Sequence, residues 1–107
     1  MSSVTNYTRG VTFERRVKRL LEREGYFVVR SAGSRGVADL VAVSQDEVLF
    51  IQCKLGSWTA QELDRLVSTA SKFGAVPVTA SPKGRKIALE KFDLIGSKPA
   101  PSCNTEY

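Results

Sequence analysis

Residues 38–55 read ADLVAVSQDEVLFIQCKL: two apolar runs on either side of a polar Ser44-Gln-Asp-Glu47 turn. Runs of this length, rich in Val, Ile and Phe and joined by a tight polar turn, predict an antiparallel hairpin of strands 38–43 and 48–55. In the second strand Leu49, Ile51, Cys53 and Leu55 share one face, and Val48, Phe50, Gln52 and Lys54 share the other. Gln52 and Lys54 therefore point the same way, about 7 Å apart along the pleat. Asp39 heads the first strand. A carboxylate and an ammonium are costly in such strands unless they are paired or bound to a metal, which makes the hairpin a candidate site as well as the core of a sheet.

Upstream, Phe13, Val17, Leu20 and Leu21 fall at i, i+4, i+7 and i+8, one apolar helical stripe with Arg15, Arg16, Lys18, Arg19 and Arg23 off it. The pattern predicts a helix from Arg9, with Thr12 as N-cap and Gly25 as the stop, after a flexible arm over residues 1–8. Tyr26 to Arg30 reads as a strand, and Ser31-Ala-Gly-Ser-Arg-Gly36 as a small flexible loop. Downstream, Ser57 or Thr59 caps a second helix reaching Phe73, with Gly74 ending it. Strands 75–80 and 86–92 flank a Ser81-Pro-Lys-Gly84 turn. The Pro- and Ser-containing segment 96–107 reads as a disordered tail. The order is α-β-β-β-α-β-β. The helix between strands 48–55 and 75–80 is a crossover that implies a parallel pair beside an antiparallel meander. The expected fold is α/β: a mixed five-stranded sheet flanked by helices, one domain over residues 9–95.

With 107 residues the chain has room for one core. Its 42% hydrophobic and 25% charged residues are ordinary for a soluble protein, and no apolar stretch is long enough to span a bilayer. No membrane association is expected, and two cysteines without a disulfide pattern point to an intracellular setting. The net charge is +5, and all of the excess lies before residue 37, where eight Lys/Arg face three Asp/Glu; the remainder is balanced, eight to eight. Such a surface attracts polyanions, nucleic acid first. There is no histidine, which removes Ser-His-Asp and Cys-His catalysis and histidine zinc sites. No P-loop or dinucleotide motif is present, and no small-molecule substrate is expected.

Asp39 followed by Gln52-x-Lys54 resembles the PD-(D/E)xK motif of the restriction-endonuclease-like superfamily, with glutamine where the second acid usually stands. Within that superfamily the chain is similar to the archaeal Holliday-junction resolvases (Hjc) over residues 9–92. The resemblance is carried by Arg9-Gly10, Phe13-Glu14-Arg15, Gly25-Tyr-Phe-Val-Val-Arg-Ser-Ala-Gly-Ser34, Asp39-Leu-Val-Ala42, Ile51-Gln-Cys-Lys54 and Phe73-Gly-Ala-Val-Pro77. It implies a restriction-endonuclease-like fold and a homodimer that resolves four-way DNA junctions by metal-dependent paired cleavage. Related alternatives are a nuclease on other branched or damaged DNA, or an inert junction-binding protein.

Phosphodiester hydrolysis needs an ion to polarise the phosphate, a nucleophilic water and charge neutralisation. Mg²⁺, with Mn²⁺ as substitute, prefers oxygen ligands. Asp39, the Gln52 amide oxygen, the Cys53 carbonyl and Glu14 are the candidate donors, and Lys54 would orient or help deprotonate the water. The resemblance places Arg15, Arg30 and Ser31 near the scissile phosphate, and Arg9, Arg16, Ser34 and Arg35 are further candidates for DNA contact. It also puts the dimer contact on the second helix and adjoining strands, with Leu66, Thr69 and Phe73 as candidates. Taken singly, these residues have plainer roles: Glu14 as an i,i+4 partner of Lys18, Trp58 as a packing residue.

Overall fold

The computed structural model describes residues 6–31, 38–95 and 98–107. Helix α1 spans Asn6–Arg23, and strands β1 (Phe27–Arg30), β2 (Leu40–Val43) and β3 (Val48–Cys53) follow it. Helix α2 (Ala60–Lys72) then leads to β4 (Val76–Lys83), β5 (Lys86–Ile95) and β6 (Lys98–Glu106). The six strands form one sheet in sequence order. Only β3 and β4 run parallel, joined through α2; every other neighbour is antiparallel. Among the described residues no helix is long and apolar enough to cross a membrane.

The two helices cover opposite faces of the sheet. Phe13, Val17, Leu20 and Leu21 of α1 are buried in one cluster with Val28, Leu40, Ala42, Leu49, Ile51, Val78 and Ala80. The register Leu49↔Val76, Ile51↔Val78 and Cys53↔Ala80 keeps those side chains on the α1 face. The alternate row, Phe50↔Pro77 and Gln52↔Thr79, faces α2, whose Leu66, Val67 and Ala70 are buried. Gln52 and Asp39 thus belong to a sheet that is apolar on both sides.

Each helix stops at a glycine in the left-handed region, Gly25 at φ 98° and Gly74 at φ 71°, where a side chain would strain the backbone. Beyond α1, the Tyr26 hydroxyl donates to Glu47 Oε2 at 2.6 Å, and Lys91 Nζ donates to the same oxygen at 3.3 Å. Burial and the Glu47 carboxylate together push the Tyr26 hydroxyl to a pKa of about 12, so it stays a donor. This contact ties the α1–β1 junction to the hairpin turn and to β5.

The structure departs from the sequence reading at several points. Strand β4 runs on to Lys83, so Ser81–Lys83, expected in a turn, pair with β5 and the turn closes at Gly84 and Arg85. Helix α1 starts at Asn6, so Thr12 lies inside it and residues 6–8 are helical. The extra turn is polar and its Thr8 and Arg9 are exposed, so it carries no apolar period. Once the Phe13–Leu21 face is docked, each added residue gains a hydrogen bond without a new nucleation cost. The sheet has six strands rather than five, because the segment expected to be a disordered tail forms β6. It is an edge strand, where proline is tolerated, and Pro99 and Pro101 are two apart, so both missing N–H groups fall on the same side of the strand. The pairing steps from Lys91↔Cys103 to Phe92↔Pro101, leaving Ser102 as a bulge. Finally, β3 ends at Cys53 rather than Leu55.

Candidate active site

Asp39 lies immediately before β2, where its backbone is fixed from both neighbours: its N–H donates to Ile51 O and its carbonyl accepts from the Ser31 N–H, each at 2.8 Å. Its Oδ2 accepts the Cys53 N–H at 2.8 Å. The carboxylate therefore bridges the ends of β2 and β3 with one oxygen and keeps lone pairs on both for another ligand. Burial raises the Asp39 pKa above the ordinary carboxylate value, and nearby Glu14 adds to the effect. The Cys53 amide and Arg30 oppose it without cancelling it.

Glu14 comes to the same place from α1. Its Oε1 accepts from Arg30 Nε at 3.0 Å, and both side chains are largely shielded. Its expected helix partner is taken: Lys18 pairs with Glu22 at 2.8 Å. Glu14, Arg30 and Asp39 thus form a charge cluster spanning α1, β1 and the start of β2. The Cys53 thiol is held neutral, pushed up by burial first and then by Asp39 and Glu14, which leaves the Cys53 carbonyl as the donor that residue can offer.

Gln52 is the next piece. Its side-chain oxygen is buried and has no hydrogen-bond donor among the described residues. Burying an acceptor without a donor costs on the order of 1–3 kcal/mol, so this position suits a cation or a donor group. Among the described residues no three His, Cys, Asp or Glu side chains form a ready-made cation cluster. A hard divalent ion would therefore be held by the Asp39 carboxylate together with neutral oxygens, the Gln52 amide and the Cys53 carbonyl, with Glu14 reachable through water. That donor set is all oxygen and low in charge, a fit for a hydrated Mg²⁺-type ion bound weakly.

Lys54 stands just beyond β3, where its N–H donates to Ala80 O at 3.0 Å and prolongs the parallel ladder. Its ammonium contacts both carboxylate oxygens of Glu62 on α2. It also lies 5.6 Å from the centre of the Trp58 ring. Glu62 is in turn part of a capping box: the Thr59 N–H donates to its Oε1 at 2.9 Å, and its own N–H donates to Thr59 Oγ1 at 3.1 Å. The Lys54 ammonium and the Thr59 amide hold the Glu62 carboxyl below the usual carboxylate range. The sequence reading missed Glu62 and gave Trp58 a packing role. The Thr59-x-x-Glu62 spacing was a visible signal, but only for the helix start.

The basic residues lie beside this centre. Arg15 and Arg16 are exposed on α1. Arg9, Thr12, Phe13 and Arg16 line a groove of about 420 Å³ that Leu55 and Pro82 close from the sheet side. Arg16 donates to the Arg85 carbonyl at 3.3 Å, which brings the β4–β5 turn, with Lys83, Arg85 and Lys86, alongside the arginines of α1. That turn was also absent from the sequence-derived contact set, although its Lys-Gly-Arg-Lys run is plain in the sequence. Ser31 adjoins Asp39 through its backbone. Ser34 and Arg35 lie outside the described residues.

Comparison with known proteins gives one answer at three levels. A family model for archaeal Holliday junction resolvase (Hjc) matches residues 5–100. The crossover junction endodeoxyribonuclease Hjc of Methanocaldococcus jannaschii is 46% identical over 79 residues, an alignment covering 69% of this chain and 59% of the relative's own length. The solved structure of Archaeoglobus fulgidus Hjc, a Holliday junction resolvase from an archaeal hyperthermophile, superposes with a TM-score of 0.66 at 26% identity, covering 82% of each chain. The chain belongs to the archaeal Hjc family of the restriction-endonuclease-like superfamily.

Proposed function

We propose that this chain is a divalent-metal-dependent endodeoxyribonuclease that resolves four-way DNA junctions, Mg²⁺ being the working ion and Mn²⁺ a substitute. The observation that carries the reading is that the Asp39 carboxylate bonds the Cys53 N–H at the end of β3, between Gln52, whose buried side-chain oxygen has no donor among the described residues, and Lys54, in a chain of the Hjc family. The names of the relatives, a crossover junction endodeoxyribonuclease and a Holliday junction resolvase, support the choice of substrate.

A bound ion would polarise the scissile phosphate and make its water more acidic. The protein's own groups do the rest. Asp39, Gln52 and the Cys53 carbonyl place that ion at the strand ends. Arg30, steadied by Glu14, and Ser31 hold the phosphate oxygens flanking the cut. Lys54 orients the attacking water and offsets negative charge as it develops. Arg9, Arg15, Arg16 and the Lys83–Lys86 segment track the backbone outside the centre, and Ser34 and Arg35 are further DNA-contact candidates on the family resemblance alone. Binding should therefore weaken steeply with salt.

Resolution requires two symmetric cuts, hence two copies related by a two-fold axis. Of the sequence-derived dimer residues, Leu66 is fully buried within the protomer, packed toward the sheet, and is not available to a partner. Phe73 is 68% exposed and stacks obliquely on Phe50 at 6.4 Å. The register continues from Phe50 to Val41 and Val29, with Phe27 and Val43 in the next row. Phe27 is 71% exposed. This apolar strip lies opposite the α1 face, and a second copy is its occupant in our reading. Phe73→Asp is expected to convert a dimer into a monomer in sedimentation velocity at micromolar concentration; a wild-type protein that already runs as a monomer would contradict the arrangement.

The second reading, an inert junction-binding protein, draws on the low charge of the donor set. Labelled intact junction, flap and linear duplex incubated with Mg²⁺ or Mn²⁺ separate the possibilities. Junction-selective cutting is expected. Binding without cutting in either metal would favour the inert reading, and equal cutting of all three substrates would exclude a resolvase.

A further inference from the structure

We infer that Glu62 is a positioning residue for Lys54, supplying from α2 the carboxylate partner that position 52 does not provide. The inference rests on the reading of Lys54 as a group acting at the scissile phosphate. Gln52 and Lys54 share a face of the chain, so an acid at 52 would stand within one pleat repeat of the ammonium; here that neighbour is neutral, and its oxygen has no donor among the described residues. The charge comes instead from the helix, with both Glu62 oxygens on Lys54 Nζ.

Three features make this a fixture and not a casual surface pair. Glu62 is pinned by the capping box, so its carboxylate is located by the helix start itself. The two side chains are each 31% exposed, partly shielded from solvent, and the Trp58 ring flanks the ammonium on another side. Glu62 takes one side of the ammonium, leaving N–H groups on its other side for a phosphate oxygen or water. A lysine on a flexible four-carbon stem gives up rotamer freedom when fixed in one place. Fixing it before substrate arrives removes that cost from the chemical step, as preorganised sites do.

The test separates this role from the cap and from DNA binding. Glu62→Gln keeps an oxygen for the Thr59 amide but removes the charge from Lys54. Thr59→Ala removes the cap hydroxyl but leaves the Glu62–Lys54 pair. Each full-length protein is titrated against a four-way junction in EDTA, then assayed in single turnover with saturating protein and Mn²⁺. Glu62→Gln should lower the cleavage rate ten-fold or more with affinity unchanged within two-fold, and Thr59→Ala should leave the rate within two-fold. A Glu62→Gln rate equal to wild type would overturn the inference. So would an equal loss in Thr59→Ala, or a loss tracking junction affinity. If the wild type itself does not cut, the nuclease reading fails first and this inference falls with it.

Discussion

Asp39→Asn is expected to abolish cleavage while making the metal-free protein more stable. The substitution keeps an oxygen to accept the Cys53 N–H that now bonds Asp39 Oδ2 at 2.8 Å, so the strand ends stay joined. It removes the one full charge that the donor set offers a cation directly. Metal polarisation of a phosphate is worth several kcal/mol, and each 1.36 kcal/mol is tenfold in rate, so a loss of about 1,000-fold or more is expected. Junction binding, which we propose the arginines and lysines carry, should survive.

The stability gain follows from the sign of the Asp39 shift. Burial raises its pKa in the folded state, so between the ordinary aspartate value and the raised one the folded chain holds a proton that the unfolded chain has lost. Stability contributed by the neutral acid is complete below the unfolded pKa and is lost as pH rises through the folded one. Asparagine suffers no such loss. Melting temperatures of the two proteins in EDTA should coincide in acid and separate as pH rises, with the mutant melting higher at neutral pH. A wild type more stable than Asp39→Asn at neutral pH without metal would contradict the account of a strained carboxylate.

Gln52→Glu carries the second large effect. A carboxylate in place of the buried amide oxygen adds a unit charge to the donor set, and a charge pair at 4 Å is worth about 4 kcal/mol at an effective dielectric of 20. Most of that is spent on desolvation, so the Mg²⁺ concentration giving half-maximal cleavage should fall by about ten-fold, equivalent to about 1.4 kcal/mol. The same change leaves an acid among groups that offer it no donor, so the metal-free mutant should melt lower than wild type and gain more on adding Mg²⁺. An unchanged metal requirement would show that residue 52 is not a ligand.

What was legible beforehand was what the chain states locally. Leu40–Val43 and Val48–Cys53 announce strands by alternation and a short turn, and their pairing alone carries Asp39 to Cys53. The charge of the Phe13–Leu21 helix and the glycine stops at 25 and 74 are equally local. What was not legible depends on contacts far apart in sequence. Nothing near Lys54 says that its partner sits on the following helix, because Glu62 reads fully as a capping-box acid. Glu14 reads as half of an i,i+4 pair until Arg30, on the neighbouring strand, is seen to claim it. Strand β6 was hidden by its prolines, which argue against a strand unless it is known to be the edge. Leu66 fitted both a buried stripe and an interface, and only the packed sheet decides between them.

In the proposed mechanism one protomer's Asp39–Gln52–Lys54 centre cuts one strand and a second copy cuts its symmetric counterpart. Its most direct test is an immobile four-way junction, each strand labelled in turn, cleaved by wild-type protein in Mg²⁺ or Mn²⁺ and mapped to nucleotide resolution. The expected result is a pair of cuts at symmetric positions in two strands of like polarity, absent in EDTA and with Asp39→Asn. No cutting in either metal, or cuts scattered along the arms without two-fold symmetry, would contradict it.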